Sequence, residues 1–235
     1  MSADERKRAI INAAKPLFAA NGFNGTTMRQ IAKAANVSGA LLYKHFPSKE
    51  AMHKEILSYV GRISNLAGSE IKEMEPCTET LVLLFFFLYR AILLEVPGHG
   101  KQQKTHERLL FYSLLEDAGY ARMVFERISA EYFDFVEASY QAAIEAGDIA
   151  KTGSDHANLF WFVHHLAMAL NLCHLSPTPA FAYDVPKETL IDEAACFALR
   201  GIGLNEAAIR RYYQPKKLDI FIKGLFALKK VEVDN

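Results

Sequence analysis

Three observations on this 235-residue chain predict an all-α fold. Apolar residues recur at helical spacing in segment after segment, and no stretch sustains the two-residue alternation of a half-buried strand. Capping residues, glycines and prolines stand where such helices should begin and end. Within that class the pattern divides into a small N-terminal three-helix domain containing a helix-turn-helix, followed by a helical bundle. The composition, 51% hydrophobic and 23% charged, is that of a chain with a sizeable folded core.

The first helix is expected over residues 3–21, where Ile10, Ala13, Ala14, Leu17 and Phe18 form one apolar stripe and Gly22 stands at the C′ position. Pro16 inside it removes one backbone hydrogen bond and should bend the axis. The second helix opens at Thr27-Met28-Arg29-Gln30, a capping box in which the threonine hydroxyl and the glutamine amide exchange hydrogen bonds with the backbone. Asn36 tolerates the left-handed conformation that a tight inter-helix turn demands. Ser38 caps a short third helix that must end at Phe46-Pro47, and Ser48 caps a fourth running through Ala51, Ile56 and Tyr59. Further helices are predicted over about 77–96, 103–118, 120–146, 154–175, 187–203 and 205–230, the last broken at Pro215. Polar or proline-rich loops fall at 97–104, 145–155 and 176–186.

The net charge is zero, which by itself argues against a nucleic-acid partner, but the average conceals an asymmetry. Residues 1–60 hold nine Lys or Arg against four Asp or Glu, so a basic N-terminal module sits on an acidic body. Cys77, Cys173 and Cys196 are few and widely spaced, the pattern of free thiols in a reducing compartment, so a cytoplasmic protein is expected. The N-terminal run MSADERKRAII has charges but no apolar stretch before a cleavage site, so no signal peptide is expected. The apolar run from Thr80 to Val96 is interrupted by Arg90 and is too short for a bilayer, so no membrane partner is expected.

Two helices joined at Asn36-Val37, the second of them short, describe a helix-turn-helix. Ile31, Ala32, Ala35, Val37, Leu42 and Phe46 are expected inside, with Leu42 and Phe46 one turn apart on the buried stripe. The opposite stripe of the third helix is then Ser38, Leu41, Lys44 and His45. Its hydroxyl, apolar tip, cation and imidazole suit the donors, acceptors and thymine methyls of a major groove. Leu41, as the apolar tip, is aimed at a thymine methyl in this reading. Phosphate-type donors surround it: Thr26 and Thr27 at the start of the second helix, Tyr43, and Lys49 in the first turn of the fourth.

The run TTMRQIAKAANVSGALLYKHFPSKEAM closely resembles the signature of TetR/AcrR-type transcriptional regulators. The matching pieces are LFAANGFNGTT (17–27), IAKAANVS (31–38), LYKHF (42–46) and SKE (48–50). HERLLFYSLLEDAGYARMVFERI (106–128) and EAGDI (145–149) are similar to regulatory-domain segments of that family. The resemblance implies that Thr27, Tyr43, His45 and Lys49 meet phosphate and that Ser38, Ala40 and Leu41 form the groove-facing start of the recognition helix. The family often has Gly at Asn36, Gly at Ala40 and a small residue at Leu41; these departures bear on the operator sequence rather than on DNA binding. The resemblance also implies a DNA-binding domain over 1–47 and an effector-binding, dimerising domain over 48–235. The implied protein is a homodimeric, ligand-responsive regulator, a repressor by expectation, with double-stranded operator DNA and a small apolar effector as partners. Two helices per subunit, about 154–175 and 187–203, would form the dimer's four-helix bundle.

Effector-contacting residues are expected among the aromatic runs, at Phe86, Arg90, Phe111, Trp161 and His165, since effector pockets are apolar with few polar groups. His156, His164, His165, His174 and Cys173 do not make a metal pattern: adjacent His164 and His165 point about 100° apart on a helix, and no i, i+4 pair has carboxylate support. No nucleophile–base pair, phosphate-binding glycine loop or HExxH motif is present, so neither a catalytic function nor a cofactor is expected. Two other classes compete: a nucleoid-type DNA binder without effector, and a small-molecule-binding bundle with a vestigial head.

Overall fold

A computed structural model describes residues 2–63, 68–94, 100–150, 153, 155–176, 178, 179, 181–233. The side chains of 57–63, 68, 69, 100–102 and 225–233 lie outside the description, as do the predicted helix end at Val96, the Tyr59 side chain and parts of the three loops. The elements are helical: α1 (Ala3–Asn21), α2 (Met28–Ala34), α3 (Gly39–His45), α4 (Lys49–Ile63), α5 (Gly68–Ile71), α6 (Thr78–Leu93), α7 (Gly100–Leu115), α8 (Gly119–Glu145), α9 (His156–His174), α10 (Lys187–Gly201), α11 (Glu206–Tyr212) and α12 (Pro215–Val233). Among the described residues the only extended pairing is an isolated antiparallel bridge, Ile149 to Leu204. The short α5 has no counterpart in the sequence reading, and the predicted break at Pro215 separates α11 from α12. The proline sits at the first helical position, where its missing N–H leaves no bond unmade. Helix α1 continues through Pro16.

The chain forms two compact units. The first comprises residues 1–65 and 97–127. Its core is built by α1 and its neighbours: Ile10, Ala14, Phe18, Ile31, Leu42, Phe46, Met52 and Ile56 are all within 1% of full burial. Helix α7 packs along α1, where Tyr112 donates its hydroxyl to the Ala20 carbonyl at 3.2 Å. Gly22 has φ +68, and a Cβ there would also meet the Tyr112 ring at 3.2 Å, so two constraints select glycine. At the α7–α8 corner Ala118 adopts φ +56, and the buried Ser113 hydroxyl accepts from the Tyr120 and Ala121 N–H groups, each at 3.1 Å. A serine of one helix thereby satisfies orphan donors of the next. Tyr120 Oη lies 2.6 Å from His106 Nδ1, and burial together with the Arg127 charge pushes the histidine pKa down to about 4.

The second unit comprises 66–96 and 128–235. Its axis is α6, whose Leu81–Phe86 run, Tyr89 and Leu93 are buried; α9, α10, α11 and α12 pack around it. A helix apolar on nearly every side needs such an all-round coat. Tyr89 donates to the Val163 carbonyl of α9 at 3.2 Å. Two turns are clasped together beneath the bundle. Gly147 (φ +74) lets α8 end, Asp148 accepts from the Thr78 hydroxyl at 2.7 Å, and its carbonyl accepts the Asn205 N–H at 2.9 Å. The Asn205 amide donates to the Gly147 carbonyl at 3.0 Å while its oxygen caps α11. Tyr140 donates to the Ile202 carbonyl, closing the clasp from the side of α8.

Candidate nucleic-acid interface

The geometry begins with the turn. Asn36 has φ 52, the left-handed value expected for it, and the Val37 N–H closes back onto the Ala32 carbonyl at 3.0 Å. Thr27 accepts the Gln30 N–H, and Gln30 Oε1 accepts from the Thr27 N–H and hydroxyl, both at 2.8 Å, so the predicted capping box is present. Ser38 accepts the Leu41 N–H at 3.2 Å and starts α3. Leu42 and Phe46, 0% and 1% exposed, anchor that helix to its domain. Ser48 accepts the Ala51 N–H at 3.1 Å at the head of α4.

The free face of α3 follows from that anchoring. Ser38, Gly39, Ala40, Tyr43 and Lys44 are exposed, whereas Leu41 and His45 are half-buried. Leu41 therefore lies at the edge of the outward stripe rather than at its crest. Gly39, absent from the sequence reading, occupies the face instead. Thr27 is exposed beside it. Lys49 donates from Nζ to the Phe23 carbonyl at 2.9 Å, with its ammonium 4.2 Å above the Phe23 ring. That leaves two ammonium protons of a half-buried lysine for another acceptor. Thr26 is placed differently from its neighbour. It is 0% exposed, and its hydroxyl donates to the Gly22 carbonyl at 2.8 Å and the Leu17 carbonyl at 3.2 Å. It pins the α1–α2 loop from within, so the outward role expected of its side chain is corrected.

Of the five residues singled out for an effector, Phe86, Arg90, Trp161 and His165 belong to the second unit and Phe111 to the first. Phe86 is fully buried, edge-on to Tyr213, with the Arg90 guanidinium 4.6 Å from its ring centre and Arg90 Nε 3.9 Å from Asp219. Trp161 is half-buried and stacked on exposed His165 at 5.5 Å; it meets Phe133 edge-on at 5.9 Å. Phe111 is half-buried on α7, in the first unit. The buried histidine of the adjacent pair is His164, whose pKa is pushed down to about 4 by burial and by the charge of His165. No group of three or more His, Cys, Asp or Glu that could hold a metal occurs among the described residues, and none of their helices is long and apolar enough to cross a membrane.

Two helices locked around a left-handed Asn36 turn, the second presenting a short exposed face within a basic segment, define a helix-turn-helix DNA-binding domain. Residues 10–56 match the profile of the bacterial regulatory proteins of the tetR family. The head is similar to the transcriptional regulator RutR of Escherichia coli K12, 44% identical over 55 residues, which are 23% of this chain and 26% of that protein. It is also similar to the uncharacterized regulator YuxN of Bacillus subtilis 168, 42% identical over 55 residues, 23% and 19% of the two chains. The matched stretch thus spans less than a third of these relatives. Solved structures extend the fold likeness. A candidate fatty acid metabolism regulator of Clostridium perfringens aligns with TM-score 0.60 and 26% identity over 84% of this chain and 100% of its own. AibR, crystallised with isovaleryl coenzyme A and operator DNA, aligns with TM-score 0.59 and 22% identity over 82% and 97%. The curated relatives named here are transcription regulators.

Proposed function

We propose that the chain is a homodimeric, ligand-responsive transcriptional repressor that binds a near-palindromic operator and is released by a small, largely apolar effector. The carrying observation is the exposed α3 face, held outward by buried Leu42 and Phe46 in a head of the tetR family. In this reading Ser38, Ala40, Leu41 and Lys44 meet base edges, while Thr27, Tyr43, His45 and Lys49 meet phosphates. The Thr26 side chain is left out, because its hydroxyl is committed inside the loop. Residues 1–47 act as the reading head and 48–235 as the regulatory part.

A second copy is the proposed partner of the α9–α10 face. Phe162 and Phe197, both 66% exposed, and Leu172, 51% exposed, give these two helices apolar stripes that water disfavours. Two such helices per subunit make a four-helix bundle, and a two-fold dimer sets two recognition helices one DNA turn apart. The half-buried rings Tyr132, Phe133 and Trp161 in the second unit are candidates for an apolar effector's walls, alongside Phe86, Arg90 and His165 of the same unit. The likeness to a fatty acid metabolism regulator favours an acyl-type effector. An effector releases DNA only by binding one arrangement of the dimer better than the other. A cytoplasmic location follows from a DNA target.

The test is selection of operator DNA by the full-length protein from genomic fragments, followed by titration with acyl compounds. Recovery of a two-fold-symmetric site that an acyl compound dissociates is the expected result. Equal affinity for selected and random DNA, with the same steep salt dependence, would overturn it in favour of a nonspecific binder. Phe197→Lys should convert the dimer to monomer in sedimentation analysis; a dimer of unchanged strength would exclude this face.

A further inference from the structure

Two glycines of the first unit answer to a demand inside the chain. Gly22 has φ +68, and a Cβ on Gly25 would fall 2.3 Å from the Asn21 carbonyl oxygen. Gly39 answers to none. It opens α3 with ordinary helical backbone, it is exposed, and an added Cβ would meet nothing within 4 Å. Alanine there would be accommodated without a clash and would favour the helix. The position nevertheless lies on the outward face, sharing it with Ala40, Tyr43 and Lys44, which follow at one and then four or five residues. That face carries no Arg, Asn, Gln, Asp or Glu, the side chains that pair with base edges in the forked manner; Lys44 is its one charged group.

We infer that Gly39 is the closest-approach point of the recognition helix to its operator, where the absence of a Cβ lets the backbone seat against the base edges. The inference rests on the DNA-binding reading above. The base pair beneath Gly39 is then selected by fit and by the neighbouring Ala40 methyl against a thymine methyl, not by a side-chain hydrogen bond. Hydrogen-bonded base readout from this face falls to Ser38 and Lys44, with phosphate contacts setting the depth. Any longer side chain at 39 would lift the helix and lengthen every contact on the face at once.

The experiment uses the full-length protein and a double-stranded operator selected by the wild type from a random library. Wild type, Gly39→Ala and Gly39→Gln are compared by fluorescence anisotropy on that operator and on random duplex, alongside thermal melting. Both variants should melt at or above the wild-type temperature and lose about tenfold or more in operator affinity, as for a mismatched base pair. Binding to random duplex should be unchanged. Operator affinity within about twofold of wild type for both variants would overturn the assignment of Gly39 alone. Melting well below wild type in Gly39→Ala would overturn it too, since an internal need for glycine would then explain the residue. A wild type that enriches no sequence would instead remove the DNA-binding reading itself.

Discussion

Thr26 and Thr27 are adjacent, identical in type and opposite in use. Thr27 faces outward and caps α2, while Thr26 places its hydroxyl between two carbonyls of α1 and its loop. Replacing Thr26 with Val keeps the shape and removes the hydroxyl donor from both carbonyls, at a cost of about 1 kcal/mol. Chemical denaturation should register that loss, and operator affinity of the folded fraction should hold; lost affinity with unchanged stability would show that the hydroxyl works outside. Leu41 and Leu42 make a second such pair. Leu42, fully buried, should cost about 2–5 kcal/mol as alanine. Leu41, half-buried, should cost well under half of that and should relax preference at one operator base pair. Comparable destabilisation by the two alanines would mean that Leu41 belongs to the core.

At the scale of elements, what was legible in the sequence was what neighbouring residues decide. The Thr27–Gln30 box, the Ser38 cap and the Asn36 turn depend on atoms within a few residues, and all three appear where the pattern puts them. Bundle helices were legible because their apolar spacing is periodic, with errors of only a few residues at the ends. Long-range placement left no such mark. Nothing periodic distinguishes Thr26 from Thr27, because the choice is made by the carbonyls of Leu17 and Gly22. Scattered aromatics likewise do not reveal which of them meet: Phe86 finds Tyr213, and Trp161 finds His165. The clasp between the α8–α9 and α10–α11 turns is also nonlocal. Gly203 there has φ +94, and a Cβ would lie 3.4 Å from Ile149. Gly203→Ala should destabilise the second unit by more than about 1 kcal/mol. Hydrogen exchange would locate the loss around residues 147–149 and 202–205, and unchanged protection there would refute the clasp.

For the whole molecule, acid is the informative perturbation. His164 is 4% exposed and keeps its neutral form down to about pH 4, whereas in the unfolded chain it takes up a proton near pH 6.5. The unfolded state therefore binds more protons between those values. Stability is full above pH 6.5 and declines as pH falls toward 4, by roughly 3 kcal/mol at the limit for this one group. His106, depressed to about 4 in the first unit, acts in the same direction. Urea midpoints from pH 7 to 4.5 should fall in the wild type and fall less steeply in His164→Phe; parallel curves would show that this histidine contributes nothing to acid sensitivity. One contact described earlier also decides where the molecule can be cut. Tyr112 bonds to Ala20 and covers Gly22, so the unit that folds with the head takes in α7 as well as α1–α4. The stretch that matches the tetR profile, residues 10–56, is smaller than the compact unit that holds it, residues 1–65 and 97–127. A fragment ending at residue 65 would carry the reading surface intact yet uncover the flank on which α7 lies. Its affinity for operator would be limited by how often it is folded, and supplying residues 97–127 on a second fragment should restore it.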